Sequence, residues 1–199
     1  VLPEALKQLY PYPELVVTPE ELEWCLEYFQ THYTLIPVSD LLEPGTNSAT
    51  KPSLAISFDD GQADNFIYAA KVLDQKNIKA TFYIPVHAIQ LQHLLWHDVL
   101  GFTLQNCSHN QELRASATKL ANQLSIPFSL ENPTEAVEKC KALPADIRNS
   151  FISGLAHLPG NSFPSWAKMM NWDEIKALAS NGHEIGSHSL THNLLPQLS

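Results

Sequence analysis

The chain has 199 residues, 44% of them apolar and 17% charged, which suffices for one substantial core and reads as a single globular domain. A formal charge of −9, a pI near 5.4 and only two arginines argue against a nucleic-acid or anionic-membrane surface, leaving a neutral or amino-sugar-like partner easier to accommodate. No run approaches the roughly 18 apolar residues of a membrane span, no signal segment opens the chain, and Cys25, Cys107 and Cys140 form neither a metal-knuckle spacing nor an even disulfide set.

In chain order, Thr18, Pro19 and Glu21 carry a capping-box spacing, and Leu22, Leu26, Phe29 and Tyr33 recur at helical intervals. A first amphipathic helix is predicted there. "YTLIPV" and "SLAISF" read as short strands separated by the turn-rich loop "EPGTNSATKP". A helix follows Gly61 with Phe66, Ala70 and Leu73 on one side, and "KATFYIPV" is the next strand, so this stretch forms a parallel crossover unit. Residues 86–170 carry several helical patterns and no convincing strand, which predicts a helical insertion. Order returns at "NWDEIKALASNGHEIGSH". There Asn171 and Glu174 make a capping box, Trp172, Ile175 and Ala179 a helical face, Gly182 a stop and "HEIGSH" a strand. The fold class is α/β, with about four predicted strands.

Asp59 and Asp60 end the "SLAISF" strand, at the rim where parallel α/β folds bind ligands. Two adjacent carboxylates repel unless a cation compensates them, and a metal ion is the economical candidate. The plainer reading is that they cap the next helix. "SHSLTHN" tips the balance. Its His188 and His192 are four apart, which on a helical turn would aim both imidazoles at one ion. If both strand ends open on one rim, two histidines and a carboxylate converge and leave positions for water and substrate. An ion so held lowers the pKa of water to about 7 and polarises a carbonyl, while the spare carboxylate takes the proton.

His93 and His97 have the same spacing, with Asp98 adjacent, but lie in a Leu-rich helical pattern where exposed histidines are ordinary. His183 follows the helix-stop glycine and reads as a packed or capping residue rather than a ligand. His32, His87, His109 and His157 have no partner in the sequence.

"SFDDG" beside "ADN", then "KATFY", then "NWDEIKALASNGHEIGSHSLTH" closely resemble, in order, the polysaccharide deacetylase family (carbohydrate esterase family four, the NodB-type homology domain). The run "VTPEELEWCLEYFQTHYTLIPVSDLL" is similar to the segment leading into that domain in bacterial members. The specific motifs cover residues 53–85 and 171–199, and the helical segment resembles only some members. The resemblance implies a divalent metal, zinc or else cobalt or another ion, held by Asp60, His188 and His192. It implies Asp59 as the general base that activates water for attack on an N-acetyl carbonyl. It also implies a fold that is a distorted relative of the (β/α)₈ barrel.

The family's later Arg-x-Pro-aromatic segment, its Asp and Trp segment and its Leu-x-His segment are not found. Arg114 in "LRASA" and Arg148 in "IRNSF" stand in other settings. The chain also opens at Val1 without a methionine and stops at Ser199, just past the second motif. The expectation is therefore one incomplete deacetylase domain over residues 1–199, with the helical insertion at 86–170, belonging to a longer protein.

The function expected is hydrolysis of N-acetyl or O-acetyl groups on a polysaccharide such as chitin oligomers or peptidoglycan, with no nucleic-acid partner. The alternatives are a non-catalytic metal- or glycan-binding module, a hydrolase of small cyclic amides in the same superfamily, and an Fe(II) oxygenase, since two histidines and a carboxylate also suit that metal. The adjacent base carboxylate fits hydrolysis better. The compartment stays open, with the cell envelope or the exterior compatible with the resemblance.

Overall fold

The structure, a computed structural model, describes residues 1–41, 50–126 and 133–193. Its helices are α1 (Glu4–Lys7), α2 (Pro19–His32), α3 (Val38–Leu41), α4 (Ala70–Gln75), α5 (Val86–Leu91), α6 (Trp96–His109), α7 (Gln111–Gln123), α8 (Pro133–Lys141), α9 (Ala145–Ala156) and α10 (Trp172–Ser180). The strands are β1 (Thr34–Leu35), β2 (Ser53–Leu54), β3 (Ser57–Phe58), β4 (Thr81–Ile84) and β5 (Glu184–Ser187). The described chain divides into two compact units, one drawn from residues 1–8, 16–93 and 166–192, the other from residues 9–15 and 94–165 together with Asn193.

The first unit holds the five strands found among the described residues. Two sheets form, β1-β2 and β3-β4-β5, both parallel and neither closed. The α/β class is thus present, as an open arrangement among the described residues. "SLAISF" is not one strand. Leu54 accepts from Ile36 N–H at 3.0 Å in one sheet, and Ile56 accepts from Thr81 N–H at 2.9 Å toward the other. Alternating side chains reveal an extended backbone, but they do not say which neighbour takes its hydrogen bonds. In the larger sheet Phe58 aligns with Phe82 and Phe82 with Ile185, and the Phe58 and Phe82 rings stack at 5.2 Å. The loop "EPGTNSATKP" lies outside the described residues except for its last three positions.

Helix α2 starts as its sequence predicts. Thr18 Oγ1 accepts from Glu21 N–H at 3.2 Å, and the Glu21 carboxylate accepts from Thr18 N–H at 2.7 Å, while Leu22 and Leu26 are buried. The helix after Gly61 differs from expectation. Residues Asn65–Ala69 form a π turn in which Ala70 N–H reaches the Asn65 carbonyl, and α4 follows. The extra residue offsets the two faces, so Ala70 and Leu73 are buried and Phe66 only half-buried. At α10 the Asn171–Glu174 box is formed and Gly182 is left-handed at φ +85°. The buried face, however, is Ile175 and Leu178. Trp172 and Ala179 are exposed, because the helix packs along i, i+3 rather than through its first residue.

The second unit is helical, with α6 to α9 around a core that includes Leu100, Leu113, Cys140, Phe151 and Leu155. Arg148 is fully buried on α9. Its guanidinium lies 5.6 Å from the Trp96 ring centroid and donates to Asn193 Oδ1 at 3.2 Å. Asp98, also buried, accepts from the Tyr10 hydroxyl at 2.6 Å. Cys107 and Cys140 are buried thiols, and no cysteine is in a disulfide among the described residues.

Candidate metal centre

Because β3, β4 and β5 run parallel, the residues leaving β3 and β5 emerge at the same edge of the sheet. Asp59 and Asp60 follow β3, and His188 follows β5, where its N–H still pairs with the Ile84 carbonyl at 2.9 Å. The chain then reverses at Asp60 and Gly61, both left-handed at φ 73° and 65°. Aspartate tolerates that region better than most residues and glycine occupies it freely. A Cβ on Gly61 would also come within 3.0 Å of Ile89 Cδ1. Neither aspartate stands at the N-cap position of the helix. Helical backbone begins at Ala63, preceded by Gln62, and Gln62 bridges Met169. Hydrogen bonds from Met170 N–H to the Gly61 carbonyl (2.9 Å) and from Ala63 N–H to the Lys168 carbonyl (2.8 Å) brace this exit.

His188 and His192 do not share a helical turn. They flank a non-helical reversal with Ser189 and His192 left-handed, at φ 63° and 54°, and the Leu190 carbonyl accepts from His87 N–H of α5 at 2.9 Å. The convergence expected from the spacing is nevertheless present. Asp60 Oδ1 lies 3.0 Å from His192 Nε2 and 3.3 Å from His188 Nε2, and the two imidazole centroids are 4.9 Å apart. All three side chains stay partly open to solvent, at 20–32% exposure.

Among the described residues, Asp60, His188 and His192 are the group whose donor atoms lie within 4.8 Å of one another. One carboxylate oxygen and two imidazole nitrogens are hard-to-borderline donors suited to zinc and similar divalent ions. Donors bound at about 2.0–2.1 Å in a tetrahedron sit about 3.3 Å apart, close to the separations from Asp60 Oδ1. The residues therefore fit a divalent ion.

Asp59 is exposed beside this group, and its carbonyl accepts from Asn65 Nδ2 at 3.2 Å. His93 is exposed and outside any helix, whereas His97 lies in α6 with Nε2 3.8 Å from Asp98 Oδ1, so the two do not share a helical face. His183 is buried. Its Nδ1 accepts from Ala80 N–H at 3.2 Å and its Nε2 lies 3.3 Å from Asp74 Oδ1, outside hydrogen-bond geometry. Burial pushes its pKa down, against a smaller upward pull from Asp74. The braces from Lys168, Met170, His87 and Asn65 carry no pattern at the sequence level, apart from the "ADN" beside "DDG".

The class defined by this fold and site is a parallel α/β protein with two histidines and a carboxylate at the carboxyl edge of its sheet. Residues 46–126 and 156–199 match the polysaccharide deacetylase family, and the chain belongs to that family. A bifunctional xylanase/deacetylase of Pseudobutyrivibrio xylanivorans is 23% identical over 223 residues, covering 93% of this chain and 37% of that protein. A solved structure, the Streptococcus pyogenes deacetylase PplD in complex with acetate, superposes with a TM-score of 0.50 over 92% of this chain and 50% of its own, at 13% identity. That likeness is one of fold. The chain thus spans half or less of each relative's length. No helix among the described residues is long and apolar enough to cross a membrane.

Proposed function

We propose that this chain carries the metal-binding part of a polysaccharide deacetylase that hydrolyses N-acetyl or O-acetyl groups on a glycan such as chitin oligomers or peptidoglycan. The observation that carries the reading is the approach of His188 and His192 to Asp60 Oδ1, with the exposed Asp59 next to Asp60 in the chain. Asp60, His188 and His192 would hold a divalent ion, most simply zinc, with cobalt or another ion as substitutes. Such an ion lowers the pKa of water and polarises the acetyl carbonyl. Asp59 takes a proton from water as the water oxygen attacks the acetyl carbon. The carbon–nitrogen or ester carbon–oxygen bond then breaks, releasing acetate, and the departing amine or hydroxyl receives the proton that Asp59 had taken from water. The neighbouring carboxylates so divide the work, Asp60 binding and Asp59 abstracting.

The open parallel sheets supply part of a distorted (β/α) barrel in this reading, and residues 86–170 form a helical insertion within one deacetylase domain. Support comes from the helical unit between Leu94 and Ser165, and the family match is interrupted within it, between residues 126 and 156.

The test begins with native mass spectrometry of the chain after equilibration with zinc and removal of excess. One zinc ion is expected per chain in the wild type and in His93→Ala, and none in Asp60→Ala or His188→Ala. Unchanged zinc in His188→Ala would sink the assignment. In the full-length protein, Asp59→Asn should retain zinc and lose acetate release from acetylated oligosaccharides; retained turnover removes Asp59 from the mechanism.

A further inference from the structure

Asn65 is buried, with 7% of its surface exposed, although it follows the Asp59–Asp60 turn closely and carries a polar side chain. Its Nδ2 donates to the Asp59 carbonyl at 3.2 Å, and its own N–H donates to the Gln62 carbonyl at 3.1 Å. It is also the first residue of the π turn, the one whose carbonyl takes the Ala70 N–H. An inserted residue rotates what precedes it by about 100° relative to an unbroken α-helix, so an ordinary helix entering α4 would aim position 65 elsewhere. Such single-turn π segments are rare and frequently sit at functional sites.

The bond falls on the peptide that joins Asp59 to Asp60, and Asp60 is the left-handed residue whose Oδ1 faces both histidines. Holding the Asp59 carbonyl fixes that peptide plane, and the plane sets φ of Asp60 and the direction of its side chain. Left-handed backbone at a non-glycine residue persists only where its surroundings determine it. On the other side of the turn, the hydrogen bond from Met170 to Gly61 provides a second anchor, and Gln92 Nε2 in turn donates to the Met170 carbonyl at 2.8 Å.

From this geometry we infer that Asn65 is a positioning residue, its side-chain amide holding the Asp59–Asp60 peptide so that Asp60 presents Oδ1 to the ion. The inference rests on the metal-site reading above. It assigns the π turn a task, to turn the Asn65 amide back toward the carbonyl.

The experiment compares wild type with Asn65→Leu, close in size and without a donor, and Asn65→Ser, polar but too short to reach. Zinc affinity is measured by competition with a chromophoric chelator, and coordination by the visible absorption of the cobalt(II) form. Both variants should bind zinc about 10–100-fold more weakly, the usual range for groups that orient metal ligands, with an altered cobalt spectrum and an unchanged far-UV circular dichroism spectrum. Wild-type affinity and spectrum in either folded variant, even one with a lower melting temperature, would overturn the inference. In the wild-type protein, slow solvent exchange of the Asn65 side-chain amide protons is expected, and fast exchange would also overturn it. A wild type that binds neither ion defeats the metal reading and this inference together, whereas a wild type that binds both, matched by its variants, defeats this inference alone.

Discussion

Replacing His183 by alanine removes the acceptor of the Ala80 N–H, just ahead of β4, and the ring that meets Phe82 edge-on at 5.3 Å. An orphaned buried amide costs about 1–3 kcal/mol and an aromatic contact of this kind about 0.5–1.5 kcal/mol, so a loss of about 2–4 kcal/mol is expected at pH 7.5. The cost should depend on pH. Burial holds the His183 pKa below its ordinary 6.5 in the folded chain, with Asp74 offsetting only part of that shift. Below pH 6.5 the unfolded chain then binds more protons than the folded one at this position. The contribution is full above pH 6.5 and declines as pH falls toward the folded value, by at most about 1.4 kcal/mol per pH unit. Urea unfolding of chelator-treated wild type and His183→Ala at pH 7.5, 6.5 and 5.5 should show the difference between them shrinking in acid. An NMR titration should place the wild-type imidazole below 6.5. A pKa at or above that value, or a difference that stays constant or grows in acid, would refute the reasoning.

Glu184 gathers donors from three residues on two segments: its Oε2 accepts from Val38 N–H at 3.0 Å and from the Thr81 hydroxyl at 2.6 Å, and its Oε1 from the Ser39 hydroxyl. Glu184→Gln should cost about 1–3 kcal/mol at pH 7, read from the melting temperature. Ser39, then Thr81, hold the Glu184 pKa below its usual 4.5, so its contribution is present above pH 4.5 and fades as pH drops through the folded value, where the variant and wild type should converge. Gly186 lies opposite Tyr83 in the sheet, and a Cβ there would meet the Tyr83 ring at 2.4 Å. Gly186→Ala should therefore destabilise by about 1–3 kcal/mol and weaken zinc binding through the displaced His188, and a variant with wild-type melting temperature and affinity would show that the ring moves aside freely.

The Thr18 and Asn171 capping boxes and the Gly182 stop were legible because each rests on neighbours a few residues apart, and the crossover from β3 to β4 because a strand, a helix and a strand pattern follow one another directly. The burial of His183 was legible from its place after that stop. The failures have a common origin. "SLAISF" divides between two sheets, Phe66 falls off the Ala70–Leu73 face through the π turn, and Trp172 is exposed although it begins an amphipathic helix. In each case a periodic pattern gave the local backbone, and what that backbone pairs with or buries was not written in the pattern. Arg148 shows the same limit, since nothing in "IRNSF" announces a guanidinium buried against Trp96 and Asn193.

For the site, residue types and order drew attention to the Asp59–Asp60 pair at one strand end and to His188 and His192 at another, while the division of roles between the two aspartates was implied by the family resemblance. Their meeting depended on tertiary structure. Asp60 and His188 leave strands separated by β4, and only the parallel register Phe58–Phe82–Ile185 brings those ends to one edge. The histidines converge through a left-handed reversal held by the Leu190–His87 hydrogen bond, where spacing had predicted a helical turn. Spacing constrains which side chains can meet, whereas backbone hydrogen bonds to distant segments choose the turn that makes them do so.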